Sequence, residues 1–346
     1  MDATTMAVDL AKHVFEVAIE NPAGQVTTRR RLTRAQFARL LRTAAPAEII
    51  MEACATAHYW GRTAQAAGHR VRLLPPHYVR PFVRRQKTDR TDVTGLLDAH
   101  RSGLSPVPVK TVEQQELLAL HRIRRQWIVT RTARINALHG LLGEYGITFV
   151  PSTRRVVTLV GQILADAELP IPGRLRRELT QVLEEIRELT ARVAQLEREL
   201  AALADADAVI TRLQTIPGVG LLTATALVGT VGHIHGFRRA RRFASWLGVT
   251  PREHSSGLRR HLGAITKQGD VYLRCLLSQG ARAVLQGARR ALVSGRPLTA
   301  LQQWGVAVAD RRGHNRAVIA LTNKLARIIW AVWSRDVAFA TPTVAA

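Results

Sequence analysis

Thr4-Thr5-Met6-Ala7-Val8-Asp9-Leu10-Ala11-Lys12 is an apolar run of strand length, Thr4 to Asp9, that closes on an acid. A carboxylate among apolar neighbours is costly unless it sits at the strand's end or binds a cation. Working outward, Val14 to Ile19 and Gln25 to Leu32 read as two further strands, with Asn21-Pro22-Ala23-Gly24 as the turn between them. A helical pattern over Arg34 to Thr43 leads to the apolar run Glu48-Ile49-Ile50-Met51-Glu52-Ala53, a helix over His58 to Ala67 and a strand at Arg70 to Leu74. A last helix, Arg90 to His100, precedes the breaker segment Gly103 to Pro108. A meander followed by alternating helix and strand predicts a mixed sheet flanked by helices.

Beyond it the chain turns helical. Val112 to Gly143 lacks proline, and the series Leu175, Leu179, Val182, Ile186, Leu189, Val193, Leu196, Leu200, Leu203 steps alternately by four and three. That 3.5-residue repeat predicts a coiled-coil seam, paired either with the Val112 to Gly143 helix or with a second chain. After Asp205 glycine becomes frequent, and apolar helices are expected at Leu221 to Val231, Ala240 to Leu247, Val271 to Leu285 and Arg316 to Trp333. Three regions follow: an α/β domain over 1–108, a helical dimerisation region over 109–206 and an all-α C-terminal domain over 207–346.

With 47% apolar and 22% charged residues in 346, the chain is long and apolar enough for two or three cores, so disorder is not the default reading. Its 50 Lys and Arg against 26 Asp and Glu leave a net charge of +24, so the expected partner is nucleic-acid phosphate rather than acidic protein or anionic membrane. Between Phe237 and Arg290, eleven Arg and one Lys face only Glu253 and Asp270. No apolar run approaches membrane-spanning length and no secretory leader is visible, so no membrane association and a cytoplasmic location are expected. Cys54 and Cys275 lie too far apart in the sequence for a CxxC site, and the twelve His lack zinc-ligand spacing.

Four acids stand out. Asp9 ends the first strand, Glu52 ends the run Ile49-Ile50-Met51, and Asp89 and Asp92 share one helix face three residues apart. Taken singly, Asp92 reads as an N-cap or surface charge and Asp9 as a turn residue. Asp2, Glu48 and Asp98 are discounted as surface groups. Jointly, an acid after strand one, an acid after strand four and a DxxD pair opening the last helix make the layout of a ribonuclease-H-like nuclease. Four such carboxylates suit two magnesium ions, which hold the attacking and leaving oxygens of a phosphodiester in line.

The C-terminal region adds two motifs. In Ile216-Pro217-Gly218-Val219-Gly220 the glycines Gly218 and Gly220 permit a tight turn between helices, a helix-hairpin-helix-like element that either offers backbone N–H groups to a DNA phosphate or is a plain turn. Gly248 to Gly257 (GVTPREHSSG) reads as a loop carrying Ser256, with Arg252, Arg259, Arg260 and His261 about it. A serine ringed by guanidinium groups can attack phosphorus or bind phosphate. Ser255 competes with it on chemistry alone, and His254 is either a base or a phosphate contact.

These blocks together resemble the DEDD insertion-sequence transposases of the one-ten group, and within it the eleven-eleven branch of bridge-RNA-guided recombinases. The matching segments are Val8 to Lys12, Met51 to Trp60 (MEACATAHYW), Lys87 to Asp92 (KTDRTD), Ile216 to Gly220, Gly248 to Gly257, Ile265 to Arg274 (ITKQGDVYLR) and Asn323 to Ile328 (NKLARI). The resemblance implies a RuvC-like domain whose metal-binding acids are Asp9, Glu52, Asp89 and Asp92, with two Mg2+ or Mn2+ ions, and a C-terminal domain whose nucleophile is Ser256, acting through a phosphoserine intermediate. It also implies donor and target DNA, a bridge RNA, a homodimer that assembles to a tetramer on DNA, and a prokaryotic, nucleoid-associated setting. Gly218, Gly220, Arg252, Arg259, Arg260, Lys267 and Arg274 are the candidate nucleic-acid contacts. Arg80, Arg84, Arg85, Arg122, Arg124, Arg125, Arg131 and Arg134 are further backbone contacts or a solvated face. Two positions depart from the family's pattern: Ala55-Thr56 stands where a Gly-Ser pair is expected, and Leu258 where a second glycine is common. A metal-dependent, structure-selective nuclease and a non-catalytic nucleic-acid scaffold are the alternative functions.

Overall fold

Side-chain alternation along the first strand sets the layering of the N-terminal unit. In the computed structural model, which describes residues 4–83, 89–149 and 155–340 and only the backbone of Asp89 and Arg90, β1 (Thr5–Leu10) turns Ala7 to one face and Met6 and Val8 to the other, all buried. β2 (Val14–Glu20) runs antiparallel to β1 and β3 (Val26–Thr33) antiparallel to β2. β4 (Glu48–Glu52) lies parallel to β1, and β5 (Arg70–Leu74) parallel to β4, which makes the order β3-β2-β1-β4-β5.

One face packs on α1 (Arg34–Thr43) and α2 (Ala57–Ala66), where Phe15, Phe37 and Trp60 meet edge to face. Such ring pairs add about 1 kcal/mol each beyond their burial. α3 (Pro76–Val79) and a 3-10 turn at Arg80–Phe82 lead toward α4 (Asp89–Arg101), which lays Val93, Leu96 and Leu97 on Ala7, Ala18, Ile50 and Leu74 of the other face. The mixed sheet and its flanking helices are those the sequence predicts, consistent with a ribonuclease-H-like layout. The first compact unit spans Met1–Gln115 and the second Glu116–Ala346.

α5 (Val112–Gly143) begins in the last residues of the first unit, and from Glu116 on it pairs side by side with α7 (Gly173–Asp205) of the second. Arg124 meets Glu197 at 2.6 Å, Arg131 meets Thr190 at 3.5 Å and Arg134 meets Glu185 at 2.6 Å. Partner numbers fall as the first numbers rise, so the helices are antiparallel. Of the two pairings open to the predicted seam, the one within the chain is present: Leu179, Ile186, Val193, Leu196 and Leu200 are buried, joined by Leu183, whereas Leu175, Val182, Leu189 and Leu203 are half-buried. α6 (Val156–Ala165) completes this end, packing Val156, Val160 and Leu164 on Ile135, Leu138 and Leu183.

The remainder is α8 (Ala208–Gln214), α9 (Leu221–Val231), a 3-10 turn at Ile234–Gly236, α10 (Ala240–Trp246), a hairpin of β6 (Pro251–Glu253) and β7 (Leu262–Ile265), then α11 (Val271–Val293), α12 (Ala300–Arg312) and α13 (His314–Arg335). Its core gathers Phe243, Leu273, Leu277, Leu321 and Leu325, and Leu117, Leu196 and Leu200 belong to the same cluster. The segment expected as a loop in an all-helical domain is therefore a β-hairpin. Both strands are mostly exposed, so no apolar alternation announces them. Within this core His121 is buried, with Nε2 2.9 Å from Thr225 Oγ1 and Nδ1 3.0 Å from Tyr272 Oη. Thr225 Oγ1 donates to the Leu221 carbonyl, so the ring donates from Nε2 and accepts from tyrosine at Nδ1.

Candidate active site and serine hairpin

The β1–β4 register sets Val8 beside Met51, so Asp9 and Glu52 come next, side by side at the C-terminal ends of two parallel strands. With the two-residue period of a strand, Asp9 shares the face of Ala7 and Glu52 that of Ile50, the face beneath α4. The half-buried Cys54 lies close by: burial, then the charges of Glu52 and Asp9, push its thiol above the ordinary cysteine range.

α4 carries the third candidate acid, Asp92. Near its C-terminal end His100 is 3.3 Å from Glu48, the first residue of β4, and Arg101 pairs with Glu20. From His100 back to Asp92 the helix spans about 12 Å. From Glu48 to Glu52 the strand spans about 13 Å. The first turns of α4 therefore lie at the level of Asp9 and Glu52. Asp92 Oδ1 is buried there with no hydrogen-bond partner among the described residues. Asp89 is one turn earlier, its side chain outside the described residues, as are Arg84, Arg85 and the start of the KTDRTD run. Among the described residues no group of three or more His, Cys, Asp or Glu side chains is close enough to hold a metal ion. The donor set nevertheless suits a hard divalent cation: it is all oxygen, and the orphaned Asp92 atom, costing about 1–3 kcal/mol unpaired, is one that a cation would satisfy.

Ser256 sits at the tip of the β6–β7 hairpin. Its N–H donates to the Arg259 carbonyl at 3.2 Å and the Arg259 N–H donates back at 3.1 Å, closing a two-residue turn on Gly257 and Leu258. Gly257 has φ +54° and Leu258 is outside the left-handed region, the type II′ pattern, so a second glycine is not required. The two serines differ. Ser255 Oγ donates to Glu253 at 2.8 Å and accepts from the His261 N–H at 3.2 Å, while Arg260 Nε donates to the same carboxylate at 3.1 Å. The Ser255 and Arg260 bonds hold the Glu253 carboxyl below its usual range. Among the described residues nothing binds the Ser256 hydroxyl, which is exposed to solvent.

The other candidate contacts divide by what already occupies them. Gly218, at φ +84°, packs against α11: a Cβ there would lie 2.7 Å from the Gly280 carbonyl, and one on Gly280 2.0 Å from that of Gly218. Gly220 caps α9, is exposed and has open space around it. Arg274 donates to the Leu247 and Gln268 carbonyls at 3.2 and 3.1 Å, a structural use of its guanidinium. Arg252, which donates to the Thr266 carbonyl at 3.4 Å, and Arg259, Arg260 and Lys267 are all exposed.

A DEDD transposase family model matches residues 6–147, and a model described as the Transposase IS116/IS110/IS902 family matches residues 210–293. The chain is 38% identical over 344 residues to a probable family 20 transposase of Pseudomonas aeruginosa, covering 98% of this chain and 99% of that one. It is also 38% identical to the transposase for insertion sequence element IS1111A of Coxiella burnetii, covering 97% and 91%. The chain belongs to the IS116/IS110/IS902 transposase family. A pilin gene-inverting protein of Moraxella lacunata is 26% identical over 295 residues, 80% of this chain and 78% of that one.

As a transposase of this family the protein is a DNA-acting enzyme, which accounts for its net charge of +24. The DEDD match spans Asp9, Glu52, Asp89 and Asp92, and the second match spans Gly218 and Ser256. Sequence reasoning counted Arg238, Arg239, Arg241 and Arg242 in the basic segment from Phe237 to Arg290 without naming them as contacts; all four are exposed, and no acid occurs between Asp207 and Glu253 to offset them. Among the described residues of this transposase no helix is long and apolar enough to cross a membrane.

Proposed function

We propose that the protein excises and inserts its element by strand exchange, with Ser256 as nucleophile. The observation that carries this reading is the division of labour in the hairpin tip, where the Ser255 hydroxyl is tied to Glu253 and His261 while that of Ser256 is exposed beside arginines. The Ser256 hydroxyl loses its proton as its oxygen attacks phosphorus. The bond from phosphorus to a deoxyribose oxygen breaks, and that oxygen takes a proton. Attack by a strand-end hydroxyl on the phosphoserine then rejoins DNA and restores the serine, so the bond energy is conserved. The Moraxella relative is named for inverting a gene, an outcome that needs cut ends to be rejoined, and this favours exchange over hydrolysis.

Asp9, Glu52, Asp89 and Asp92 would hold the divalent cation, Mg2+ or Mn2+. When bound, it supplies Lewis-acid neutralisation of charge on phosphate oxygens. Arg252, Arg259 and Arg260 flank the phosphate, and the exposed Gly220 turn offers backbone N–H groups to the DNA backbone in the manner of a helix-hairpin-helix. In this reading region 1–108 carries the acids, 109–206, whose seam is closed on α5 within the chain, serves dimerisation through the exposed faces of that helix pair, and 207–346 carries the serine. The acids of one protomer serve the serine of another, and two dimers pair donor and target DNA as a tetramer. Sites are chosen by pairing with a bridge RNA, so the protein itself reads mainly shape and backbone.

A suicide DNA substrate tests the nucleophile. Wild type should leave a protease-resistant protein–DNA adduct and Ser256→Ala none; an adduct of undiminished yield in Ser256→Ala would refute it. RNA copurifying with the protein should map to the element's own flanking non-coding region, and protein free of RNA yet fully active would remove the guide from the account.

A further inference from the structure

The hairpin that carries Ser256 is exposed at its tip, so its aim is set at its base. Two flanking segments cross there in backbone contact: a Cβ on Gly248 would lie 1.8 Å from the Gln268 carbonyl, and one on Gly269 2.0 Å from that of Trp246. The Thr266 N–H donates to the Thr250 carbonyl at 2.9 Å and the Lys267 N–H to the Gly248 carbonyl at 3.1 Å. Alternate carbonyls of a strand point to opposite sides, so Val249, between those two, presents its carbonyl away from the returning strand. Val249 is 1% exposed, and the Nδ2 amide of Asn323 donates to that carbonyl at 3.0 Å. Arg274 acts from α11, the hairpin's own continuation, whereas Asn323 acts from α13, 74 residues beyond Val249. It also lies beyond both family matches.

We infer that Asn323 is a positioning residue for the nucleophile, its amide fixing the angle at which the Ser256 hairpin leaves the helical core. The inference rests on Ser256 being the nucleophile. The neighbours of Asn323 on α13, Leu321, Thr322, Leu325 and Ala326, are buried, so the amide is mounted on a rigid support. From Val249 to Ser256 the arm is seven residues, about 23 Å when extended. A tilt of about 5° at its base then moves the tip by about 2 Å, and a misplacement of about 1 Å at a reacting centre costs on the order of 100-fold in rate. A short neutral donor suits the place: aspartate of the same shape would set oxygen against oxygen.

The test compares full-length Asn323→Asp, Asn323→Ala and Asn323→Gln with wild type on the suicide DNA substrate. Adduct formation, DNA affinity, melting temperature and amide exchange across residues 247–270 are measured together. Expected are adduct formation slowed by about 10- to 100-fold in Asn323→Asp and Asn323→Ala, DNA affinity changed by less than about 2-fold, and faster exchange confined to the Thr266 and Lys267 amides. Asn323→Gln, which keeps an amide donor, should recover part of the rate. If Asn323→Ala does not fold, Asn323→Gln against Asn323→Asp carries the comparison. Wild-type adduct rates in Asn323→Asp, or losses of affinity and melting temperature that match the loss of rate, would overturn the positioning role. Ser256→Ala in the same assay separates the two ideas: if it still forms the adduct, the serine reading fails and this one with it. If it does not, while Asn323→Asp reacts normally, only the role of Asn323 fails.

Discussion

Thr56 and His121 show how single side chains register the cost of their surroundings. Thr56 stands where the family's pattern expects a serine after a glycine, and it opens α2 at φ +69°, four residues beyond Glu52. A β-branched residue in the left-handed region costs about 1–2 kcal/mol, of which glycine's extra chain entropy would return a part. Thr56→Gly should therefore raise stability by about 0.5–1 kcal/mol in urea unfolding. For His121, burial and then Arg124 push the pKa from 6.5 down to about 4. The unfolded chain takes up the proton first, so stability is full above pH 6.5 and falls as pH drops toward 4, where the loss levels off. Its size is on the order of 3 kcal/mol. Unfolding at stepped pH should show this slope in wild type and its loss in His121→Gln. The placing of Asp9 and Glu52 at strand ends was legible because a carboxylate is conspicuous in an apolar run. The partners of His121 and Asn323 were not, being 104, 151 and 74 residues away.

Elements were legible wherever they bury a face. β1, β2 and β4 alternate or run apolar, and α4 repeats Val93, Leu96, Leu97 at helical spacing, whereas the largely exposed β3 was legible through the turn before it. The β6–β7 hairpin buries neither face, so its formation rests on backbone pairing and on the glycines at its base and tip, which no periodicity displays. The 3.5-residue series on α7 likewise told the length of the seam and left its partner open, since α5 and a second chain would need the same leucines. The PGVG turn can be tested as an element. Its packing depends on Gly218 and Gly280 touching through backbone, so Gly280→Ala must part the turn from α11. A loss on the order of 3 kcal/mol is expected, seen as a lowered urea midpoint. An unchanged midpoint would mean that the turn is free of α11.

At the scale of the whole molecule, charge is the dominant feature. A chain of net +24 gathers DNA through phosphate, and log affinity should fall linearly with log salt. Replacing Arg238, Arg239, Arg241 and Arg242 with glutamine should reduce that slope by about 0.9 for each phosphate contact removed, with equal effect on unrelated DNA sequences. An unaltered slope would show that this surface does not meet nucleic acid. The candidate carboxylates lie in one compact unit and the serine hairpin in the other, and in the proposed reaction the serine forms the bond to DNA. Trypsin cuts after Arg252 and Arg259, so a trapped adduct can be mapped by mass spectrometry to the peptide Glu253 to Arg259, which holds both serines. A phosphodeoxynucleotide on Ser256 in that peptide is the expected result; the same group on Ser255 or elsewhere, or cleaved DNA with no adduct at all, would contradict Ser256 as the nucleophile.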